Sequence, residues 1–162
     1  MKRIGKYLIL TALVLALMLA VCACGSKGVS KPAADEGAKT YEIKGSVTAE
    51  KLNDATLRVH CNINLEPGTI LAISIDSHEG EELKKQKFTM TENQSFYADF
   101  EIGEWEKPVY ASLTVTPEGE GKQPDEVKTK YGAKLQNVTG DCVYFNTQGN
   151  FICIQSEAVN EF

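Results

Sequence analysis

The sequence has few of the residues on which most enzyme chemistry depends. Its 162 residues include two histidines, His60 and His78, without the His-Glu-x-x-His spacing that places two zinc ligands on one helical face. It also has no Gly-x-Ser-x-Gly elbow, no Gly-x-x-x-x-Gly-Lys-Ser/Thr loop and no Gly-x-Gly-x-x-Gly turn. These absences disfavour zinc and serine hydrolases, nucleoside triphosphatases and dinucleotide enzymes. We predict no catalytic residues, metal ligands or cofactor, and we expect both histidines on the solvated surface.

The sequence also lacks an apolar run long enough to cross a membrane comfortably. The longest nearly unbroken run, Leu8–Ala23, has 16 residues, whereas a spanning helix needs about 20. Three basic residues precede this run: Lys2, Arg3 and Lys6. A positive segment followed by a short apolar segment is typical of a signal peptide. We therefore predict that residues 1–23 are a cleaved signal peptide.

The end of the apolar run, Val21-Cys22-Ala23-Cys24, resembles the lipobox of bacterial lipoproteins. In that family the cysteine sulfur receives a diacylglyceryl group, and a signal peptidase cuts just before the cysteine, after a small residue. Ala23 fits that position, so the resemblance implies that Cys24 becomes the lipidated N-terminus and anchors the protein without a transmembrane helix. Lipidation at Cys22 is the competing assignment. The segment also fits an ordinary secretory signal or an uncleaved anchor, and each of these assignments exports the rest of the chain.

The segment that follows is poor in large apolar residues. Residues 24–40, which begin with the lipidated cysteine, are rich in glycine, serine, alanine and lysine, as flexible linkers are. We expect no fixed structure there and a globular domain over residues 41–162. Cleavage removes three of 17 Lys and Arg residues and none of 22 Asp and Glu residues, so the mature net charge is 14 − 22 = −8. This negative charge makes nucleic acids and anionic lipid surfaces poor partners.

Alternation of apolar and polar residues predicts strands in this domain. It is clearest over Leu57–Leu65 and continues over Leu71–Ile75. The turn residues Glu66–Thr69 between these segments predict two adjacent antiparallel strands. Similar alternation over Phe96–Ile102 and Val109–Val115 predicts two further half-buried strands.

A different period appears near residues 124–135. Pro124 and two acidic residues precede Val127, Tyr131 and Leu135, which recur every fourth residue. A proline and early acidic residues favour the start of a helix. We predict one short helix here, covering an open end of the fold.

The remaining segments complete a mostly β fold. The charged segment Asp76–Lys84 is predicted to be an exposed loop, and the turn residues Asn146–Asn150 predict a C-terminal hairpin. Tyr41–Val47 is a candidate first strand. Seven or eight short strands with one helix indicate an antiparallel, immunoglobulin-like β-sandwich, with a small closed barrel as the alternative.

The stretch Leu57–Gly140 is similar to a group of uncharacterised surface lipoproteins of Gram-positive bacteria that carry a β-sandwich domain. The shared marks are the Leu57–Leu65 strand, Leu65–Thr69 leading into Leu71–Ile75, Gln123–Val127, Tyr131-Gly132 and Leu135. The resemblance implies a sandwich fold and an extracytoplasmic location. It carries over no catalytic or binding residues.

Three cysteines remain beyond the lipobox: Cys61, Cys142 and Cys153. An odd number in an oxidising compartment allows at most one internal disulfide. Cys142 and Cys153 lie on the two arms of the predicted hairpin, so a disulfide between them is our hypothesis. Cys61 lies on the predicted inward face and is expected to be a buried, inert thiol. This cysteine arrangement differs from that of antibody-type domains, which pair cysteines across the two sheets beside a buried tryptophan.

Two groups of residues are candidate binding sites. One predicted loop carries four acidic residues that offer oxygen ligands for Ca²⁺, although they lack the EF-hand spacing: Asp76, Glu79, Glu81 and Glu82. The simpler interpretation is a solvated loop that protects an edge strand from pairing with other chains. Three aromatic residues predicted to point outward or lie in loops form a candidate carbohydrate platform: Tyr97, Trp105 and Tyr110.

Taken together, these features predict a lipid-anchored, non-enzymatic binding or structural module at the cell envelope. Its partner would be a protein or carbohydrate of the envelope. One alternative is a small envelope enzyme or enzyme inhibitor that uses the Asp76–Glu82 loop or the region of Tyr97 and Trp105. Another is an accessory subunit of an envelope complex that docks through exposed edge strands.

Overall fold

The structure is a computed structural model that describes residues 29–103, 108–118 and 121–160. The described residues from Lys31 onward belong to one compact unit. Within them the chain forms ten strands and one helix, which confirms the predicted mostly β fold. The elements are β1 Tyr41–Glu42, β2 Gly45–Asn53, β3 Thr56–Ile63, β4 Ile70–Ser77, β5 Glu82–Thr89, β6 Ser95–Glu101, β7 Val109–Val115, α1 Asp125–Tyr131, β8 Val138–Thr139, β9 Val143–Asn146 and β10 Gly149–Gln155.

The strands form two antiparallel sheets and one short parallel pair. One sheet has the order β2-β3-β6 and the other has the order β5-β4-β7-β10-β9. β1 pairs with β8 in parallel. Because the two large sheets have separate hydrogen-bond ladders, the fold is a sandwich and not a closed barrel. The chain crosses between the sheets three times, after β3, β5 and β6, as in Greek-key sandwiches.

Both sheets contribute to a single hydrophobic core. β3 shows the predicted alternation, since Leu57, Val59 and Cys61 are buried while His60 and Asn62 are exposed. The fully buried members from the two sheets include Leu57, Val59, Ile63, Phe100, Ile73, Ile75, Leu113 and Ile152. Burial of these apolar side chains between the sheets is the main stabilising contribution to the fold.

The prediction that the Glu66–Thr69 turn joins two paired strands is wrong. The turn exists, with the backbone N–H of Thr69 donating to the carbonyl of Glu66 at 3.1 Å and Gly68 at φ 87°. However, β3 pairs with β2 and β6, whereas β4 pairs with β5 and β7. Both edges of each strand are therefore occupied, and the turn carries the chain from one sheet to the other.

The predicted loop at Asp76–Lys84 is shorter than expected. β4 continues to Ser77 and β5 begins at Glu82, so the connection covers residues 78–81, with Gly80 at φ 84°. The first six residues of β5 are exposed on both faces, so their sequence shows no alternation. β5 is an edge strand, and charged side chains there oppose pairing with another chain.

The predicted helix near residues 124–135 is confirmed as α1, which ends four residues earlier. Gly132 adopts φ 84°, outside the helical region, and its N–H donates to the carbonyl of Lys128 at 2.8 Å. Val127 and Tyr131 on the helix and Leu135 beyond it are all buried. The four-residue spacing therefore identified the buried face correctly, and the glycine sets the end of the helix.

The domain begins before residue 41. The Asp35 carboxylate accepts hydrogen bonds from the side-chain amides of Gln136 and Asn137, both at 2.9 Å, and its N–H donates to Asn137 Oδ1 at 2.9 Å. These two bonds from side chains lower the pKa of Asp35. The expectation of no fixed structure over residues 24–40 is therefore wrong at Asp35. The predicted signal peptide, Cys22 and Cys24 lie outside the described residues.

Candidate functional site

The outer surface of the β2-β3-β6 sheet carries a regular array of polar and aromatic side chains, which we call the polar face. Strand register aligns its members in three rows that run across the sheet. The rows are Ser46, Asn62 and Ser95; Thr48, His60 and Tyr97; and Glu50, Arg58 and Asp99.

The alternation of each strand explains why these side chains share one surface. Directly opposed residues of antiparallel strands point to the same face, and alternate residues point to opposite faces. On β3 the buried residues Leu57, Val59 and Cys61 fix the inward face, so Arg58 and His60 face outward. β6 behaves in the same way, with Ala98 and Phe100 buried.

An ion pair occupies one end of the polar face. The Arg58 guanidinium donates to both carboxylate oxygens of Asp99, from Nε at 2.7 Å and from Nη2 at 2.8 Å. The bonds from Arg58 lower the pKa of Asp99, and those to Asp99 raise the pKa of Arg58. Both side chains therefore stay charged at neutral pH, and each neutralises the other.

Among the residues that the structure describes, Tyr97 is the most exposed of the large hydrophobic side chains, at 60%. The Arg58 guanidinium carbon lies 4.3 Å from the centre of its ring, within the range of a cation–π contact. The His60 ring lies 6.2 Å away, tilted by 48°. Arg58 is itself fixed by Asp99, so the Tyr97 ring is held by neighbours on the same sheet and exposed to solvent.

A second pair of polar groups lies beside Tyr97. His60 Nε2 is 3.0 Å from the Glu50 carboxylate, so the histidine hydrogen-bonds to it and forms an ion pair when protonated. Arg58 and Asp99 form the other pair. Every ionisable group of the polar face except the Tyr97 phenol thus has a partner within the face itself.

A shallow groove lies between the first two rows. Its volume is about 290 Å³, and its walls include Ser46, Thr48, Asn62, Ser95 and Tyr97. Hydroxyl and carboxamide groups both donate and accept hydrogen bonds. The groove therefore combines neutral hydrogen-bonding groups with the exposed Tyr97 ring and with His60, which also lines it.

The structure does not bring the two described members of the predicted aromatic platform together. Tyr97 lies on β6 in the three-stranded sheet, but Tyr110 lies on β7 in the other sheet. Trp105 lies outside the described residues. The sheet instead places Arg58 and His60 beside Tyr97. From the sequence, His60 was expected only to be a solvated surface residue, so its place beside Tyr97 was missed. The outward positions were visible in the alternation, but the contacts depend on pairing between strands about forty residues apart.

The four acidic residues of the proposed calcium site are not gathered around one point. Asp76 on β4 and Glu82 on β5 are partners in the strand register, but the Asp76 carboxylate accepts a hydrogen bond from Ser74 at 3.1 Å and Glu82 pairs with Lys85 at 3.5 Å. Over residues 29–103, 108–118 and 121–160, no group of three or more His, Cys, Asp or Glu side chains is arranged to hold a metal ion. His78 is exposed, as predicted.

Cys61 is 2% exposed, and burial raises the pKa of its thiol to about 12, so it is a buried thiol as predicted. Cys142 and Cys153 lie opposite each other where β9 meets β10, with the Cys153 N–H donating to the Cys142 carbonyl at 2.9 Å. No disulfide joins these three cysteines in the structure, and the Cys142 thiol lies 3.6 Å from the carbonyl oxygen of Ile43. The proposed Cys142–Cys153 disulfide stays a prediction.

No protein-family model matches the chain, and no curated protein sequence is significantly similar to it. In the part of the chain that the structure describes, no helix is long and apolar enough to span a membrane.

Proposed function

We propose that the chain is a lipid-anchored, extracytoplasmic lipoprotein whose β-sandwich is a non-enzymatic binding module for a component of the cell envelope. The lipobox-like sequence supports an anchor at Cys24, and the mature net charge of 14 − 22 = −8 argues against nucleic acid as the partner. The polar face is the proposed binding surface.

Tyr97 is the observation that carries the binding role. A large ring that is 60% exposed contributes little buried apolar area to folding, so its place on the outer surface of the sheet does not serve the core. Arg58 and its partner Asp99 hold the ring in place. A side chain that is already ordered loses less conformational entropy when a partner binds. The polar face is therefore arranged to receive a ligand against Tyr97.

The anchor is tested by labelling bacteria that express the full chain with radioactive palmitate. We expect the label on the parent chain and on Cys22→Ser, and no label on Cys24→Ser. Label that persists in Cys24→Ser and disappears in Cys22→Ser would move the lipidation to Cys22. Label that neither substitution removes, or that the parent chain lacks, would contradict the lipoprotein assignment.

The binding role is tested by measuring saturable binding of solubilised envelope fractions from the producing organism to the purified full chain. Tyr97→Ala should weaken that binding roughly tenfold. Tyr144→Ala is the matched control, because it removes the same kind of side chain, 43% exposed, from β9 in the other sheet. Equal binding by the parent chain and Tyr97→Ala would exclude the polar face as the binding surface.

A further inference from the structure

We infer that the polar face binds an uncharged oligosaccharide segment, with one sugar ring packed on Tyr97 and the next in the adjoining groove. This inference rests on the proposed function and names the ligand class of the same surface. It follows from the charge, the hydrogen-bonding groups and the dimensions of the polar face.

The charge of the polar face favours an uncharged ligand. Arg58 is engaged by Asp99 through two hydrogen bonds, and Glu50 is engaged by His60. An anionic ligand would have to compete with Asp99 for Arg58, and it would also meet the carboxylates of Glu50 and Asp99. A neutral ligand leaves both pairs intact.

The hydrogen-bonding groups of the groove match sugar hydroxyls. Ser46, Thr48 and Ser95 carry hydroxyls, and Asn62 carries a carboxamide. Each of these groups both donates and accepts, as sugar hydroxyls do. The aromatic ring complements them, because the C–H faces of a sugar ring are apolar and pack against a flat ring such as that of Tyr97.

The size and shape of the face suit a short stretch of a chain. Neighbouring strands are about 4.8 Å apart and alternate residues along a strand about 6.8 Å apart, so the three-by-three array covers roughly 10 by 14 Å. That area accommodates two or three linked sugar rings. The groove is shallow and open rather than enclosed, so a ligand can extend beyond it at either end.

The experiment is calorimetric titration of the full chain, held in a detergent without a sugar headgroup, with four trisaccharides. Three are neutral: tri-N-acetylchitotriose, cellotriose and mannotriose. The fourth, trigalacturonic acid, is acidic. We expect saturable binding of at least one neutral trisaccharide and at least tenfold weaker binding of the acidic one. Tyr97→Ala should weaken binding of the neutral trisaccharide roughly tenfold, which is the usual size of an aromatic stacking contribution. Tyr144→Ala should leave the affinity for the trisaccharide unchanged.

Three results would overturn the inference: no binding of any neutral trisaccharide, stronger binding of the acidic trisaccharide, or equal loss of affinity in Tyr97→Ala and Tyr144→Ala. Far-ultraviolet circular dichroism of each variant checks that a loss of binding does not come from unfolding. If no trisaccharide binds but Tyr97→Ala still weakens binding of envelope fractions, the saccharide inference fails and the proposed function stands. If Tyr97→Ala affects neither measurement, both fail.

Discussion

Replacing Gln123 by leucine should lower the free energy of unfolding by about 3 kcal/mol. Gln123 is 3% exposed and lies just before α1. Its amide oxygen accepts from the N–H of Ile70 at 2.9 Å, and its amide nitrogen donates to the carbonyls of Ile70 at 2.7 Å and Thr116 at 3.0 Å. The side chain thus bonds to the start of β4 as a neighbouring strand would.

The magnitude follows from these three hydrogen bonds. Leucine has a similar volume, so packing changes little, but three backbone groups lose their partner. A typical hydrogen bond contributes a net of about 0.5–1.5 kcal/mol, so three contribute about 1.5–4.5 kcal/mol. Urea unfolding followed by circular dichroism measures the change, with Gln86→Leu on the exposed strand β5 as the control. A loss below about 0.5 kcal/mol in Gln123→Leu, the range of ordinary surface substitutions, would refute this reasoning.

The isosteric change Gln123→Glu should make stability depend on pH. The carboxylate keeps an acceptor for the N–H of Ile70, but it brings negative charge against carbonyl oxygens that lie 2.7 and 3.0 Å from the present amide nitrogen. Burial and these oxygens should raise the pKa of the new carboxyl above about 4.3. When the pKa of a carboxyl is raised in the folded state, its ionisation destabilises the fold. This destabilisation is absent well below pH 4.3 and complete above the folded-state pKa. The difference in free energy of unfolding between Gln123→Glu and the parent chain should therefore widen from about pH 4 to pH 7. A difference that stays constant over this range would contradict this explanation.

Three further predictions concern single side chains. Arg58→Gln should raise the pKa of Asp99 back towards 3.8, because the hydrogen bonds that lower it are lost; a carboxyl titration by NMR measures this, and an unchanged pKa would disprove the cause. Cys61 should react with a thiol reagent at pH 8 roughly a thousandfold more slowly in the folded chain than in urea, because burial raises the pKa of its thiol to about 12. Comparable reaction rates in the two conditions would show that solvent reaches the thiol in the folded chain. Asp35→Ala should speed cleavage by trypsin after Lys39, because the bonds from Gln136 and Asn137 are lost; an unchanged rate would show that other contacts hold the segment.

The parts of the fold that were predictable have a local signal. β3 buries one face and exposes the other, so its alternation is visible in the sequence. α1 has a proline and acidic residues at its start and two buried residues four positions apart. β5 has no such signal, since it is an exposed edge strand and neither face shows a pattern. The turn at Glu66–Thr69 was evident from its residues, but a turn does not determine which sheet the next strand joins.

The candidate site was less predictable because it depends on pairing across the chain. Arg58 and Asp99 are 41 residues apart, and only the register between β3 and β6 makes them neighbours. Tyr97 was identified as an outward aromatic, but its contacts with Arg58 and His60 come from the same register. The buried contacts of Gln123 were equally hard to predict, because its hydrogen bonds to Ile70 join residues 53 positions apart in the sequence. Local sequence patterns locate the outward face of a strand and leave open which side chains meet on it.

The most direct test of the account is to map ligand binding by NMR on the isotopically labelled full chain. Solubilised envelope polysaccharide from the producing organism is titrated into the chain while backbone amide signals are followed. We predict saturable shifts concentrated in residues 46–50, 58–62 and 95–99, which carry the polar face, and roughly tenfold weaker binding in Tyr97→Ala. Shifts concentrated in β4, β5, β9 or β10, or an unchanged affinity in Tyr97→Ala, would contradict the claim that the polar face is the binding surface.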